Sequence, residues 1–232
     1  MKIEDVINLA KKRGAKTVAV ACCQDKEVLL AVENARKEGI INAILVGDID
    51  KTKQIAESLN ISLENYKLID ISYLSEACLK AVQLVSEGSA DIVMKGLVDT
   101  SIILKAVLNK EIGLRTGNVL SHTGVFHVEG YDKLFFITDA AMNIDPDLNT
   151  KKQIIQNAVK LARALDIDEP KVAVLCAKEK VNPKMPDTVD AKELEEMNKK
   201  GEIKDCIVGG PFALDNAISE EAAKHKGIDH PV

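Results

Sequence analysis

The chain has 232 residues, 46% of them apolar and 29% charged, which is typical of a soluble globular protein with a sizeable core. Its net charge of −5 and its 3% aromatic content argue against a nucleic-acid-binding surface. No apolar run approaches the roughly 18 residues that would span a membrane, and the acidic start of the chain is unlike a signal peptide. We therefore expect a cytoplasmic protein with no membrane or nucleic-acid partner.

The first half of the chain alternates between helical and strand patterns. Apolar positions at helical spacing predict helices from Ile3 onward and over residues 28–35, 49–59, 75–87 and 102–108. Short apolar runs predict strands over residues 17–22, 40–46, 67–71 and 91–94. This rhythm predicts an α/β fold in which helices cover a mostly parallel sheet.

The pattern changes in the second half. Predicted strands over 119–128 and 133–138 are joined by a short loop that contains Gly130, which indicates an antiparallel hairpin and hence a mixed sheet. A helix over 150–165, a strand over 172–176, a helix over 191–199, a strand over 206–208 and a helix ending at Lys226 follow. We place the domain boundary where the hairpin ends, which gives two α/β/α domains, residues 1–138 and 139–232.

Several sites with known sequence signatures are missing. The five cysteines form no C-x-x-C pair, and the four histidines show no zinc-ligand spacing with them, so we expect reduced, mostly buried thiols and no metal. No G-x-G-x-x-G follows the first strand and no G-x-x-x-x-G-K-[ST] occurs, so a dinucleotide site and a P-loop have no support.

The most informative stretch runs from Lys95 to Ser101. A buried strand is predicted to end before Lys95 and Gly96, and a helix opens at Asp99, Thr100 and Ser101. Glycine lets a backbone approach a ligand closely, and the free N–H groups of a helix start attract anions. A phosphate site is one interpretation; a helix cap at Asp99 or Thr100 beside a solvated lysine is the other.

A second stretch contains Arg115, Ser121 and His122. A guanidinium is suited to bidentate contact with phosphate, so Arg115 is a candidate phosphate ligand. Ser121 and His122 lie in a predicted strand, where neighbouring side chains point to opposite faces, so they cannot pair as nucleophile and base. His122 is equally well explained as a strand residue with no role in chemistry.

Two later loops carry weaker signals. Asp139 and Asn143 follow the hairpin and either line a cleft or form turns that position the crossover between domains. Gly209 and Gly210 precede a predicted helix, as in a loop that holds a phosphate or lies against a flat group. Neither arrangement specifies a ligand by itself.

Four segments, in the same order, resemble the phosphate acetyl/butyryl transferase family and lean toward its butyryl branch. They are Lys95-Gly96-Leu97-Val98-Asp99-Thr100, Leu114-Arg115 with Leu120-Ser121-His122, the stretch from Thr138 to Asn143, and the stretch from Gly209 to Ala217. The resemblance implies reversible transfer of an acyl group from butanoyl-CoA to phosphate, giving butanoyl phosphate and CoA. It also implies a two-domain fold like that of isocitrate and isopropylmalate dehydrogenases, with the site in the interdomain cleft.

The resemblance also implies a homo-oligomer, no metal or redox cofactor, and an acyl kinase as a metabolic neighbour. On the positions of this sequence, it makes Lys95, Gly96, Thr100, Ser101, Lys105 and Arg115 phosphate-binding candidates. Ser121, His122, Asp139, Asn143, Gly209 and Gly210 become candidates for contact with the substrate.

One departure from the family pattern affects what the chain is expected to do. The family's Ser-Arg pair and following Asp, implied to bind CoA and phosphate, have no counterpart before Val232. We therefore expect a C-terminal part that completes the first domain to be missing. A non-catalytic CoA- or phosphate-binding relative or inactive fragment, and a phosphate acetyltransferase or another acyltransferase of the same fold, stay open as alternatives.

Overall fold

A computed structural model describes residues 1–228 of the chain. The chain divides into two compact units, each described by itself. The N-terminal unit is Glu4–Gly117, and the C-terminal unit consists mainly of the chain from Asn118 onward. Both contain parallel strands and helices, as the sequence predicted.

The N-terminal unit is built on four parallel strands in the order β3-β2-β1-β4. Its elements, in chain order, are α1 (Ile3–Arg13), β1 (Lys16–Ala21), α2 (Lys26–Lys37), β2 (Ile41–Gly47), α3 (Ile49–Ser58), β3 (Lys67–Asp70), α4 (Leu74–Ser86), β4 (Ile92–Lys95) and α5 (Thr100–Val107). The predicted alternation is confirmed, with bounds within a few residues of those expected.

Strand β1 is buried on both faces, which explains its continuous apolar sequence. Val18 and Val20 pack with α2 and α3 on one face, whereas Ala19 and Ala21 pack with α4 and α5 on the other. Because side chains alternate along a strand, each face receives every second residue. The small side chains of β1 allow α4 to lie close to the sheet. The unit is thus a three-layer α/β/α arrangement.

The C-terminal unit contains two separate strand pairs rather than one continuous mixed sheet. Its elements are β5 (Thr123–His127), β6 (Leu134–Thr138), α6 (Leu148–Ala164), β7 (Lys171–Leu175), α7 (Pro186–Lys199), β8 (Ile207–Phe212), α8 (Leu214–Ile218) and α9 (Glu220–His225). Strands β5 and β6 form the predicted antiparallel hairpin, and β7 and β8 pair in parallel. The antiparallel element is therefore confirmed, but it is not part of the N-terminal sheet.

The prediction of a glycine-rich loop at Gly209 and Gly210 is wrong. Both residues lie inside β8, where Gly209 is the register partner of Ala173. A Cβ on Gly210 would lie 2.9 Å from the Cβ of Val174, so the glycine lets the two strands and α7 pack closely. Glycine and proline weaken the strand signal in the sequence, and the packing that requires them is visible only in the fold. The helix predicted to end at Lys226 is likewise two short helices.

The prediction that Ser121 and His122 lie in a strand is also wrong. Strand β5 begins only at Thr123, and His122 donates its backbone N–H to the Asp139 carboxylate over 2.9 Å. This side-chain partner replaces the strand ladder at that position. Asn157 of α6 donates to the carbonyl of Val119 and to the Ser121 hydroxyl, both at 3.0 Å. These bonds attach the segment before the hairpin to α6, and the division of the chain falls at 117/118 rather than at the expected 138/139.

Candidate functional site

The carboxyl edge of the N-terminal sheet has the geometry of a ligand site. From β1 the chain proceeds outward to β2 and β3, then returns to the other side of β1 as β4. In open α/β sheets, ligands bind outside the carboxyl ends of strands where the strand order reverses in this way. Here that position lies beyond Ala21 and Lys95, the last residues of β1 and β4. The stretch that the sequence singled out starts at this point.

Gly96 is required by the fold at this edge. Its N–H donates to the carbonyl of Ala21 over 2.8 Å, and the N–H of Leu97 donates to the carbonyl of Cys22 over 3.1 Å. A Cβ on Gly96 would lie 2.3 Å from the Cys22 oxygen and 2.5 Å from the Ala21 oxygen. No side chain fits there, because the obstructing atoms are backbone. The glycine therefore lets the turn after β4 lie against the end of β1.

Lys95 folds over this turn. Its ammonium donates to the carbonyl of Val98 over 2.9 Å and to that of Gly96 over 3.3 Å. An ammonium has three N–H donors, so two stabilise the turn and one is left for a further acceptor. Both partners are neutral, so the full positive charge of Lys95 stays at the edge of the sheet.

The first turn of α5 is open, in contrast to those of α2 and α3. The carboxylate of Asp25 accepts from the N–H of Val28 at the start of α2, and that of Asp48 accepts from the N–H of Lys51 at the start of α3. At α5 the cap residue Asp99 makes no side-chain cap bond. The helix-cap interpretation therefore lacks the hydrogen bond on which it depends.

Because no side chain of the described residues caps α5, backbone N–H groups of its first turn are free, and two hydroxyls lie beside them. Thr100 and Ser101 are exposed, and neither side chain bonds to any part of the chain that the structure describes. Free N–H groups, two hydroxyls and the Lys95 charge are the donors that an oxyanion such as phosphate accepts from. Lys95, Gly96, Thr100 and Ser101, predicted from the sequence, are thus brought together in one turn.

The two other cations predicted to bind phosphate, Lys105 and Arg115, lie farther along the chain from the open turn. Lys105 is exposed on α5, five residues and about 7.5 Å of helix rise after Thr100. Arg115 follows Leu114, whose N–H donates to the carbonyl of Val107 at the far end of α5. The structure therefore places Lys105 on the same helix as the open turn but does not bring Arg115 to that turn.

In the C-terminal unit, Asp139 organises the segments on either side of the hairpin. One carboxylate oxygen accepts from the N–H of His122, and the other from the backbone N–H of Asn143 at 3.0 Å and from its side-chain amide. Partial burial opposes ionisation, but these hydrogen bonds outweigh it and lower the pKa of Asp139. Ser121, His122, Asp139 and Asn143 are therefore neighbours, and Asp139 and Asn143 form a hydrogen-bonded turn after the hairpin.

Sequence reasoning missed the importance of Cys22, which lies at the centre of the N-terminal edge. Its side chain is fully buried, its φ is +57°, and its Sγ lies 3.9 Å from that of Cys78. Burial, followed by the proximity of Cys78, raises the pKa of Cys22 to about 12, so it stays a neutral thiol. An apolar run ending in cysteine gives no sign of this position. All five cysteines are free thiols, and every one except the half-buried Cys176 is buried.

At the carboxyl edge of the β7–β8 pair, two lysines are held by carboxylates. Lys151 of α6 donates to Asp187 over 2.6 Å and to Asp190 over 2.7 Å, and Lys226 bonds to Asp215 and lies 3.6 Å from Glu179. One polar group here lacks a partner: the fully buried amide of Asn216 forms no hydrogen bond with the described residues. Gly209 and Gly210 lie in the strand and leave no loop to hold a phosphate.

Residues 1–228 contain no group of three or more His, Cys, Asp or Glu side chains placed to hold a metal ion. None of the helices in this range is long and apolar enough to cross a membrane.

The chain is similar to curated acyltransferases over almost all of its length. It is 50% identical to the phosphate butyryltransferase of Clostridium acetobutylicum over 97% of this chain and 74% of that protein. It is 40% identical to the phosphate acetyltransferase of Thermotoga maritima over 100% of this chain and 78% of that protein.

Solved structures show the same fold. A branched-chain phosphotransacylase from Enterococcus faecalis V583 superimposes with a TM-score of 0.79 and 34% identity, over 94% of this chain and 75% of that one. A phosphotransacetylase from Streptococcus pyogenes superimposes with the same TM-score at 21% identity, which supports the fold alone. The Phosphate acetyl/butaryl transferase family model matches residues 1–77 and 72–232. The chain therefore belongs to the phosphate acetyl/butyryl transferase family, and so to the acyltransferases.

Proposed function

We propose that this chain catalyses the reversible reaction of butanoyl-CoA with phosphate to give butanoyl phosphate and CoA, and that phosphate binds at the open first turn of α5. The observation that carries the proposal is the combination of an uncapped helix start, two unpartnered hydroxyls and the Lys95 ammonium where the strand order reverses. The 50% identity to a phosphate butyryltransferase supports the choice of acyl group. A phosphate acetyltransferase is the alternative, since relatives with that name are 40% identical.

The arrangement fits the needs of the reaction. Phosphate is the nucleophile, and it must be held with one oxygen directed at the thioester carbonyl. Donors to the other oxygens fix its orientation, and Lys95, Thr100 and Ser101 provide them in this unit. CoA leaves as a thiolate, a good leaving group, so the main requirement is positioning together with stabilisation of the oxyanion formed at the carbonyl carbon. No metal or redox cofactor is needed for this transfer.

Other parts of the proposal rest on the family and not on a particular contact. We propose the two-domain fold of isocitrate and isopropylmalate dehydrogenases, a homo-oligomer, a cytoplasmic location and an acyl kinase that consumes the acyl phosphate. Ser121, His122, Asp139 and Asn143 are proposed to contact the substrate in the same enzyme.

The proposal is tested by measuring free thiol released from butanoyl-CoA as phosphate is varied. The double variant Thr100→Ala/Ser101→Ala should raise the phosphate KM about tenfold or more, because two hydrogen bonds to a charged group are lost. Ser89→Ala is the matched control: its hydroxyl is exposed, lies before β4 at the opposite end of the sheet, and should leave the KM unchanged. If the double variant and Ser89→Ala have equal phosphate KM values, phosphate does not bind at this turn. No phosphate-dependent thiol release from any short acyl-CoA would contradict the proposed activity.

A further inference from the structure

Three apolar side chains that follow strand ends at the carboxyl edge of the N-terminal sheet are exposed. Leu97 is 63% exposed, Tyr73 75% and Leu74 40%. All three follow strand ends at the carboxyl edge, Tyr73 and Leu74 after β3 and Leu97 after β4. Single exposed apolar residues are common on protein surfaces, but three of them at the edge proposed to bind phosphate call for an explanation.

Cys22 holds these residues together. Its carbonyl accepts the N–H of Leu97 over 3.1 Å, and its buried thiol donates to the carbonyl of Leu74 over 3.7 Å. The starts of α4 and α5 are thus fixed to one residue at the end of β1. The apolar group therefore has an ordered backbone, and its location does not depend on a mobile loop.

Leu97 is the member closest in sequence to the phosphate donors. It lies between Gly96 and Val98, which are both buried, and its backbone N–H is bonded. The turn therefore holds its side chain outward on the stretch that continues to Thr100 and Ser101. Exposure of a leucine on a fixed turn is unfavourable in water, and an alkyl group packed against it would recover the lost burial.

We infer that Leu97, with Tyr73 and Leu74, forms the surface that receives the alkyl chain of the acyl group and sets the preferred chain length. An acyl phosphate carries a phosphoryl group joined through one carbonyl to an alkyl chain, and this edge pairs donors for the first with an apolar surface for the second. This inference rests on the proposed phosphate site.

The test uses binding, so that it is independent of turnover. Inorganic phosphate and the alkylphosphonates from methyl to pentyl are titrated into the 232-residue chain, and dissociation constants are measured by NMR or calorimetry. In the unsubstituted chain, affinity should rise about two- to fourfold for each methylene up to butyl, as expected for burial of a CH₂ group. In Leu97→Ala the increase should fall below about 1.5-fold per methylene, while affinity for inorganic phosphate stays within about twofold.

Leu108→Ala is the matched control. Leu108 is also an exposed leucine on α5, 47% exposed, but it caps the opposite end of the helix. It should keep the full dependence on chain length. Tyr73→Ala should reduce that dependence by a smaller factor than Leu97→Ala, because Tyr73 is on a neighbouring helix.

The outcomes separate this inference from the proposed function. Binding of phosphate without any dependence on chain length, or the same dependence in Leu97→Ala as in Leu108→Ala, would overturn the apolar surface and leave the phosphate site standing. No binding of inorganic phosphate or of any phosphonate would overturn both.

Discussion

The carboxyl edges of the two parallel strand sets differ in how their charges are used. At the N-terminal edge the partners of Lys95 among residues 1–228 are neutral carbonyls, and α5 starts without a side-chain cap. At the edge of β7 and β8, Lys151 lies between two aspartates. Unpaired donors are poor stabilisers of a fold but are available to a ligand, whereas paired charges stabilise the fold and have little capacity left. This difference supports the proposal that phosphate binds at the N-terminal edge.

Among substitutions that test the difference between the two edges, Gly96→Ala should have the largest effect on stability and on phosphate affinity. The added Cβ meets two backbone oxygens at 2.3 and 2.5 Å, which cannot move without separating the turn from β1. We expect a loss of stability of about 3 kcal/mol and at least a tenfold loss of phosphate affinity, because the donors of α5 are displaced. Chemical unfolding and phosphate titration measure the two effects.

Gly88→Ala is the control for that substitution. Gly88 has a φ of +76° but open space around its Cβ position, so the change should cost about 1 kcal/mol through the backbone alone. Its phosphate affinity should match that of the unsubstituted chain. If Gly96→Ala also binds phosphate normally, the turn after β4 is not the anion site.

A second glycine tests the other edge. In Gly210→Ala the new Cβ would lie 2.9 Å from the Cβ of Val174 and 3.0 Å from its carbonyl oxygen. Overpacking of this kind costs about 1–3 kcal/mol, so the C-terminal unit should unfold at lower denaturant concentration. Phosphate affinity should stay the same, because Gly210 lies inside a strand. A specific loss of phosphate affinity would restore the sequence interpretation of a phosphate-binding loop.

Gly96 and Gly210 also show how much of the fold and of the candidate site could be predicted from the sequence. The helices and strands before Leu108 were predictable because caps, apolar spacing and terminal glycines all agree, as at α3, expected over 49–59 and found over Ile49–Ser58. The turn at Lys95 and Gly96 was predictable because a lysine and a glycine follow a buried run and precede a helix start. The reversal of strand order that makes this turn a candidate ligand site is a property of the topology, and no local pattern encodes it.

Gly209 and Gly210 were misplaced for the opposite reason. Locally they look like a loop, and the Val174 and Ala191 atoms that face Gly210 explain why the strand has no side chain at that position. His122 was misplaced because the strand was predicted to start at Val119, whereas the backbone N–H of His122 bonds to Asp139, 17 residues later, instead of to a neighbouring strand. In each case a contact distant in the sequence overrode the local preference.

The smallest changes in stability and phosphate affinity are expected when a lysine at each edge is replaced by methionine. Lys151→Met leaves Asp187 and Asp190 facing each other, with Asp190 half-buried, and should cost about 1 kcal/mol of stability without changing phosphate affinity. Lys105 has no partner among the described residues, so Lys105→Met should leave the free energy of unfolding within about 0.5 kcal/mol. It should weaken phosphate binding by about two- to fivefold through the loss of a nearby positive charge.

The pH dependence separates a paired lysine from a free one. Burial opposes the charged form of Lys151, but the hydrogen bonds that it donates to Asp187 and Asp190 outweigh this and raise its pKa. A raised pKa means that the stabilisation is fully present below the pKa of an unfolded lysine, near 10.4, and is lost as the pH rises through the higher folded value. The stability difference between the unsubstituted chain and Lys151→Met should therefore stay constant from pH 6 to about pH 10 and shrink above it. A difference that already disappears below about pH 9 would show that Lys151 is not held by its two aspartates, and the contrast between the two edges would fail.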